Sequence, residues 1–249
     1  MLRTVDYNTR TLANTAVRGK TGHHSGGSCT CLRSVGEQES IPTVVWPHPL
    51  EPLTLEGRFI RLLPLAAAHA QALFDIGRDE DIWRFMPYGR MDSLADMEAW
   101  MTLLLEHRAR GSDLPFVVFH RGQAKVVGAT RFMNADAPNR AVEIGGTWYA
   151  AGYRGTIVNP EAKLLLLQHA FEHLACVRVQ FRTDLRNLRS QRALERLGAV
   201  REGVWREHML LPDGHRRSSV VYSILEKEWP AVKAGLMQRV AKDAAKPAT

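Results

Sequence analysis

Residues 142–171 read VEIGGTWYAAGYRGTIVNPEAKLLLLQHAF, and the fold turns on them. Arg140–Tyr149 is predicted to be a strand, followed by a loop, Ala151–Pro160, that feeds a helix. Pro160 suits the first helical position, where no backbone N–H is needed. The helix runs to about Leu174, with Leu164, Leu167, Ala170, Phe171 and Leu174 on one face. A helix N-terminus presents unpaired N–H groups and about half a positive charge. Such a corner suits a phosphate or pyrophosphate. Arg154 sets a cation beside those N–H groups, and Gly155 lets the main chain approach an anion closely. The same residues also make an ordinary strand-to-helix turn, and spacing alone leaves both readings open.

Upstream of this stretch, Gly57–Leu63 reads as a first strand and Ala66–Gly77 as a helix. A second helix, Ser93–Arg110, opens on a near capping box, with Asp96 three residues after Ser93. Leu94, Met97, Met101, Leu104 and Leu105 form its apolar face. Phe116–His120 and Lys125–Met133 flank a turn at Arg121-Gly122 and read as a hairpin. Downstream, Val177–Thr183 is a strand and Asn187–Leu197 a helix closed by Gly198. Val200–Leu211 and Arg216–Leu225 form a hairpin around Pro212-Asp213-Gly214. A short last helix starts near Lys227, with a loose tail after Gly235. The expected organisation is therefore a disordered extension over 1–51, one mixed α/β domain over 52–235, and a flexible tail over 236–249.

The chain has 249 residues, enough to bury a sizeable core without a disulfide or metal staple. Hydrophobic residues make up 45% and charged residues 24%, which excludes a wholly disordered chain. Apolar runs are far short of the roughly 18 residues that cross a bilayer, so no membrane partner is expected. The net charge of +7 invites a nucleic-acid reading. The basic residues are scattered without runs, and no aromatic-plus-basic recognition motif accompanies them, so no nucleic-acid partner is expected either. Three cysteines, Cys29, Cys31 and Cys176, make no disulfide framework and fit a reducing, cytoplasmic setting. Cys29 and Cys31 lie near His23 and His24 in a spacing that matches no common zinc pattern, so no metal is expected. Between Met1 and Ser34 stand five Arg or Lys and one acid. That composition is compatible with a transit peptide, a tail or a start placed too far upstream.

EIGGTWY at 143–149, YRGTIVNPEAKLLLLQHAFE at 153–172, VRVQFRTDLRNLRSQRALERLGAVREG at 177–203 and the Asp213-Gly214 turn together resemble the GNAT superfamily of acyl-CoA-dependent N-acetyltransferases, in its RimJ/RimL-like group. The resemblance spans Leu53 to Trp229. It implies a central, mostly antiparallel twisted sheet of about seven strands, splayed in the middle and flanked by helices. The strands at 142–149 and 177–183 would part, with the pantetheine arm of acetyl-CoA in the split and no metal. Trp148 and Tyr149 would offer main chain to that arm. The pyrophosphate would sit on Arg154, Gly155, Thr156, Ile157, Val158 and Asn159. One departure stands out: the family pattern R/Q-x-x-G-x-G/A has Ile157 at its first glycine position and Asn159 at its second. If that position needs positive φ or close phosphate approach, a β-branched residue is costly; if φ is negative there, it costs little, because the N–H is still present.

The implied reaction moves an acetyl group to a primary amine, on a protein N-terminus or a small molecule, by direct attack in a ternary complex. A homodimer is compatible with the resemblance. The rival reading is a non-catalytic acyl-CoA-binding or degenerate module, prompted by Ile157. The chemistry needs a neutral amine, a stabilised thioester oxygen and a proton for the leaving thiolate. Glu143 is the candidate base, or else a salt-bridged strand acid. A backbone N–H near Trp148 would serve the oxyanion. Asn187 is a natural N-cap, and the resemblance adds a contact to the cofactor arm. Ser190, one turn in, is the candidate proton donor or else a small packing residue; Tyr222 is a further candidate acid or else core. Lys163 is either a phosphate partner or part of a solvated face. Trp83, Trp100 and Trp205 are expected to be buried or to line an acceptor cleft.

Overall fold

The computed structural model describes residues 50–244. Nearly all of the expected extension 1–51, with Cys29, Cys31, His23 and His24, lies outside the described residues, as does the end of the tail.

Eight strands form one sheet in the order β1-β2-β3-β4-β5-β6-β8-β7. They are β1 (Leu55–Glu56), β2 (Ile60–Pro64), β3 (Leu114–His120), β4 (Lys125–Asp136), β5 (Ala141–Tyr149), β6 (Arg178–Asp184), β7 (Val200–Leu210) and β8 (Arg216–Leu225). The mixed α/β, mostly antiparallel architecture expected from the sequence is what forms. The added strand is the two-residue β1, which turns at Gly57 and pairs Leu55 with Leu62.

Six α-helices cover the sheet: α1 (Ala70–Gly77), α2 (Glu80–Trp83), α3 (Leu94–Ala109), α4 (Val158–Gln168), α5 (Leu188–Leu197) and α6 (Trp229–Ala244). The period-two alternation of β3 sends its side chains into two cores. Phe116 and Val118 join Leu166, Ala170 and Tyr222 on the face covered by α4 and α6. Val117 joins Leu73, Trp100 and Leu104 on the face covered by α1 and α3. α3 begins on the predicted capping box: the Asp96 N–H donates to Ser93 Oγ at 3.2 Å, and the Ser93 N–H donates to Asp96 Oδ2 at 2.9 Å.

Three local features depart from the sequence reading. α2 is one short turn capped by Asp79, whose Oδ1 accepts the Asp81 N–H at 3.0 Å. α4 passes into a π-helical turn over His169–His173 before the chain reaches buried Cys176. The last helix is long rather than short: α6 extends to Ala244, past the expected boundary at 235. Trp229, Val232 and Leu236 supply its buried stripe. Trp229 stacks on Phe171 at 5.5 Å and its indole N–H donates to Glu172 Oε1 at 2.8 Å. After Leu236 the large apolar residues of α6 are Met237, which is exposed, and half-buried Val240, so the end of the helix is secured by its N-terminal half.

Candidate active site

β5 and β6 run parallel, and their pairing is short. Ala141, Val142 and Glu143 face Arg178, Val179 and Gln180, and the ladder stops there. From Ile144 to Tyr149 the β5 edge that faces β6 is unpaired, while its other edge stays bonded to β4. β6 continues on β8 alone. The two strands therefore splay, and the gap belongs to a cavity of about 470 Å³, a size suited to a cofactor-sized ligand. From Glu143 to Tyr149 the open edge covers about 20 Å of extended chain. A pantetheine-like arm carries amides that need main-chain partners, and an unpaired strand edge provides them. The edge is kinked at Gly146, where φ is +55° and the β4–β5 register slips. A Gly-Gly pair inside a strand is the sequence signal of such a bulge.

The loop after β5 closes one end of the cavity. Arg154, Gly155, Thr156 and Asn159 line it. Gly155 adopts φ +76°, so the glycine that the loop requires is this one. Ile157 has φ −66° and ψ −18°, ordinary right-handed helix geometry. The β-branched side chain is unstrained there, so the departure from the family pattern carries no backbone cost. Ile157 and Val158 keep their side chains off the cavity wall, and Val158 is buried in the core. Replacing Ile157 with glycine is expected to change acetyl-CoA affinity by less than about twofold, because no strain is released, and to shift stability by less than about 1 kcal/mol, because Ile157 stands at the N-cap of α4, where glycine is tolerated better than a branched residue. Calorimetric titration and a thermal melt check both halves.

Arg154 is less available than the sequence suggested. Its Nη2 pairs with Asp79 Oδ2 at 2.6 Å and its Nε donates to the Tyr149 carbonyl at 3.0 Å, tying the loop to α2 and to the end of β5. The Tyr149 hydroxyl donates to Asn159 Oδ1 at 3.2 Å, and burial raises its pKa. Lys163 lies neither on a solvated face nor free toward the loop. It is buried, lines the cavity, and donates to Thr147 Oγ1 at 3.0 Å, with its ammonium 5.7 Å from the Phe181 ring. Burial pulls its pKa down to about 7.

Across the gap, Asn187 caps α5: its Oδ1 accepts the Ser190 N–H at 3.0 Å. That leaves the amide NH₂ for a ligand. Both Asn187 and Ser190 line the cavity. Tyr222 does not: it is wholly buried and donates to Glu195 Oε1 at 3.0 Å, which takes it out of the chemistry and leaves it as core.

At the vertex of the split stands Glu143, 4% exposed and lining the cavity. Its Oε2 accepts from Asn134 Nδ2 at 2.9 Å and from Arg182 Nε and Nη2, each at 2.8 Å. None of the described hydrogen bonds uses Oε1. The salt-bridged and the catalytic readings of Glu143 are thus compatible, one on each oxygen. Trp148 packs beside Trp83 and Trp100, ring centroids 5.4 and 6.1 Å away, and that cluster holds the adjoining main chain. Trp205 instead sits exposed on β7, with Arg182 over its ring at 5.2 Å. Arg131, Arg182, Arg217 and Tyr88 also line this end. They come from β4, β6, β8 and the segment after α2, and no local motif marks them. Among the described residues no cluster of His, Cys, Asp or Glu is arranged to hold a metal, and no helix is long and apolar enough to cross a membrane.

A profile of the acetyltransferase (GNAT) domain matches residues 60–200. A Bacillus subtilis (strain 168) protein, YdaF, named as a ribosomal N-acetyltransferase, is 28% identical over 70% of this chain and 94% of its own. An acetyltransferase crystal structure from T. thermophilus is 40% identical, with a TM-score of 0.70 over 77% of this chain and 98% of its own. Mycobacterium smegmatis RimJ, solved in complex with CoA-disulfide, shares the fold at 22% identity and a TM-score of 0.64 over 75% of this chain and 94% of its own. The profile covers more than half of the chain and falls on the split sheet and its helix. The chain belongs to the GNAT acetyltransferase family and is an acyl-CoA-dependent N-acetyltransferase.

Proposed function

We propose that this protein transfers an acetyl group from acetyl-CoA to a primary amine by direct attack within a ternary complex. The observation that carries the reading is the end of β5–β6 pairing after Glu143 and Gln180, beside the N-terminus of α4. Acetyl-CoA would lie with its diphosphate on the main chain of Gly155–Asn159 and its arm along the open edge of β5. Its thioester would then reach the vertex beside Glu143. Oε1 of Glu143 would take the proton of the incoming ammonium, directly or through a water. As the amine nitrogen bonds the acetyl carbon and the C–S bond breaks, main-chain N–H near Trp148 would hold the oxyanion. Ser190 would return a proton to the thiolate. The Bacillus relative's name supports a protein N-terminus as acceptor, and with it a cytoplasmic place of action.

Glu143→Gln tests the assignment. Removing a general base is expected to lower kcat/KM at least tenfold. The loss should be largest at low pH, where little of the amine is neutral, and should shrink as pH rises toward the amine's own pKa. Thiol release from acetyl-CoA, followed across pH, reads it. A variant with the parent's rate and pH profile removes Glu143 from the reaction.

A further inference from the structure

Of the arginines that line the acceptor end of the cleft, buried Arg131 and half-buried Arg182 have a carboxylate within 4.0 Å, and buried Arg217 has none among the described residues. Glu143 is matched by Arg182 at 2.8 Å. Asp184, 1% exposed, is matched by Arg186, through Nε to Oδ1 at 3.0 Å and Nη2 to Oδ2 at 2.9 Å. Asp113 lies 3.4 Å from Arg131 Nε, with both side chains buried. Arg217 has no such partner. It is 8% exposed, lines the cavity, and has no carboxylate within 4.0 Å among the described residues. Its Nε donates to Ser219 Oγ and its Nη1 to the Phe85 carbonyl, each at 2.9 Å. Both acceptors are neutral. A guanidinium carries five N–H donors in a rigid fork, so these bonds leave three unused.

A buried charge without a counter-ion is unfavourable unless a ligand brings one. The surroundings sharpen the case. Burial depresses the pKa of Arg217; the more distant Asp184 works against that, Arg182 adds to it, and Glu143 works against it again. Burial likewise depresses that of His208, with Arg182 and Arg217 adding to the effect. Arg131 and Arg182 are offset by Asp113 and Glu143, so Arg217 is the buried guanidinium of this lining whose fork is open to a carboxylate.

We propose that Arg217 receives a carboxylate of the acceptor, so that the preferred substrate is a primary amine that also carries a carboxylate. This rests on the transferase reading above. The carboxylate can belong to a free amino acid or to an acidic side chain at a protein N-terminus; the recognition chemistry is the same.

The test measures kcat/KM by thiol release for paired acceptors differing only in charge: glutamate against glutamine, and short peptides beginning with Asp against the same peptides beginning with Asn. Spermidine serves as a polycation. At least one carboxylate member is expected to exceed its amide partner by about tenfold or more, as a charge-assisted hydrogen bond implies, and to exceed spermidine. Which pair shows the preference tells the free amino acid from the peptide. In Arg217→Gln the ratio within that pair should fall to near one, and Arg217→Lys should recover part of it. If Arg217 merely pins the Phe85 segment, every acceptor weakens alike and the ratio survives, which overturns the proposal. Equal rates within both pairs in the parent enzyme overturn it without any variant, and leave the transferase reading standing. No thiol release with any of these amines overturns both.

Discussion

Glu161→Ala is expected to destabilise the protein by on the order of 4 kcal/mol. Glu161 is 2% exposed in the first turn of α4, yet it does more than complement the helix dipole. Its Oε1 accepts the Arg58 N–H at 2.6 Å, and its Oε2 accepts the N–H groups of Phe59 and Ile60 at 2.8 and 2.9 Å. Three main-chain donors at the start of β2 thus end on one carboxylate about a hundred residues away. Removing it orphans them, at roughly 1–3 kcal/mol for each that water cannot reach. The Ile60 amide is fully buried and takes the upper end of that range, whereas Arg58 and Phe59 sit nearer solvent and add only about 0.5 kcal/mol each, which brings the sum to about 4 kcal/mol. Because the same contact anchors the N-terminus of α4, acetyl-CoA affinity should fall with stability. Urea denaturation and calorimetric titration measure the two effects. A loss below about 1 kcal/mol would show that the amides find other partners and that the clamp is incidental.

Lys163→Met is expected to act in the opposite direction, raising stability at neutral pH. Lys163 is buried with one neutral hydrogen-bond partner, the Thr147 hydroxyl, and no carboxylate within ion-pair distance among the described residues. Burial lowers its pKa from 10.5 to about 7. Between those two values the unfolded chain holds a proton that the folded chain does not, so stability rises with pH across that window. Below about pH 7 the full cost is present, because both states are then protonated and only the folded one is desolvated. Above about pH 10.5 the cost is gone. At pH 7 it is on the order of 4 kcal/mol. Methionine has similar length and no charge to desolvate, so it removes most of that cost and flattens the pH dependence. Chemical denaturation at pH 7 and pH 9 reads both the gain and the lost slope. Equal stabilities of parent and variant at pH 7 would mean that the ammonium is solvated where it sits.

The framework was largely legible. Ser93 with Asp96, Asn187 with Ser190, and Gly198 mark helix ends through bonds between residues three or four apart, and such bonds are written in local spacing. The splayed strands were legible only through resemblance, because a strand that stops pairing looks like one that continues. Glu143 and Ser190, which line the cavity, were singled out by the same route. Arg131, Arg182 and Arg217 were not, since each reads as an ordinary basic residue in a strand. Lys163 was read as exposed or as a phosphate partner, because a lysine within a helix gives no sign that its turn faces a gap in the sheet.

Sequence alone determined the order of strands and helices, the loop that needs a glycine, and the family to which the chain belongs. The first two follow from backbone preferences and apolar period, which act over a few residues; the family follows from resemblance to its ordered motifs. Tertiary structure decided the electrostatics: which carboxylate meets which guanidinium, which cation stays unmatched at Arg217, and how far Lys163 is dried. The cost of a charge depends on the water and counter-ions within a few ångströms, and those neighbours come from segments far apart in the chain.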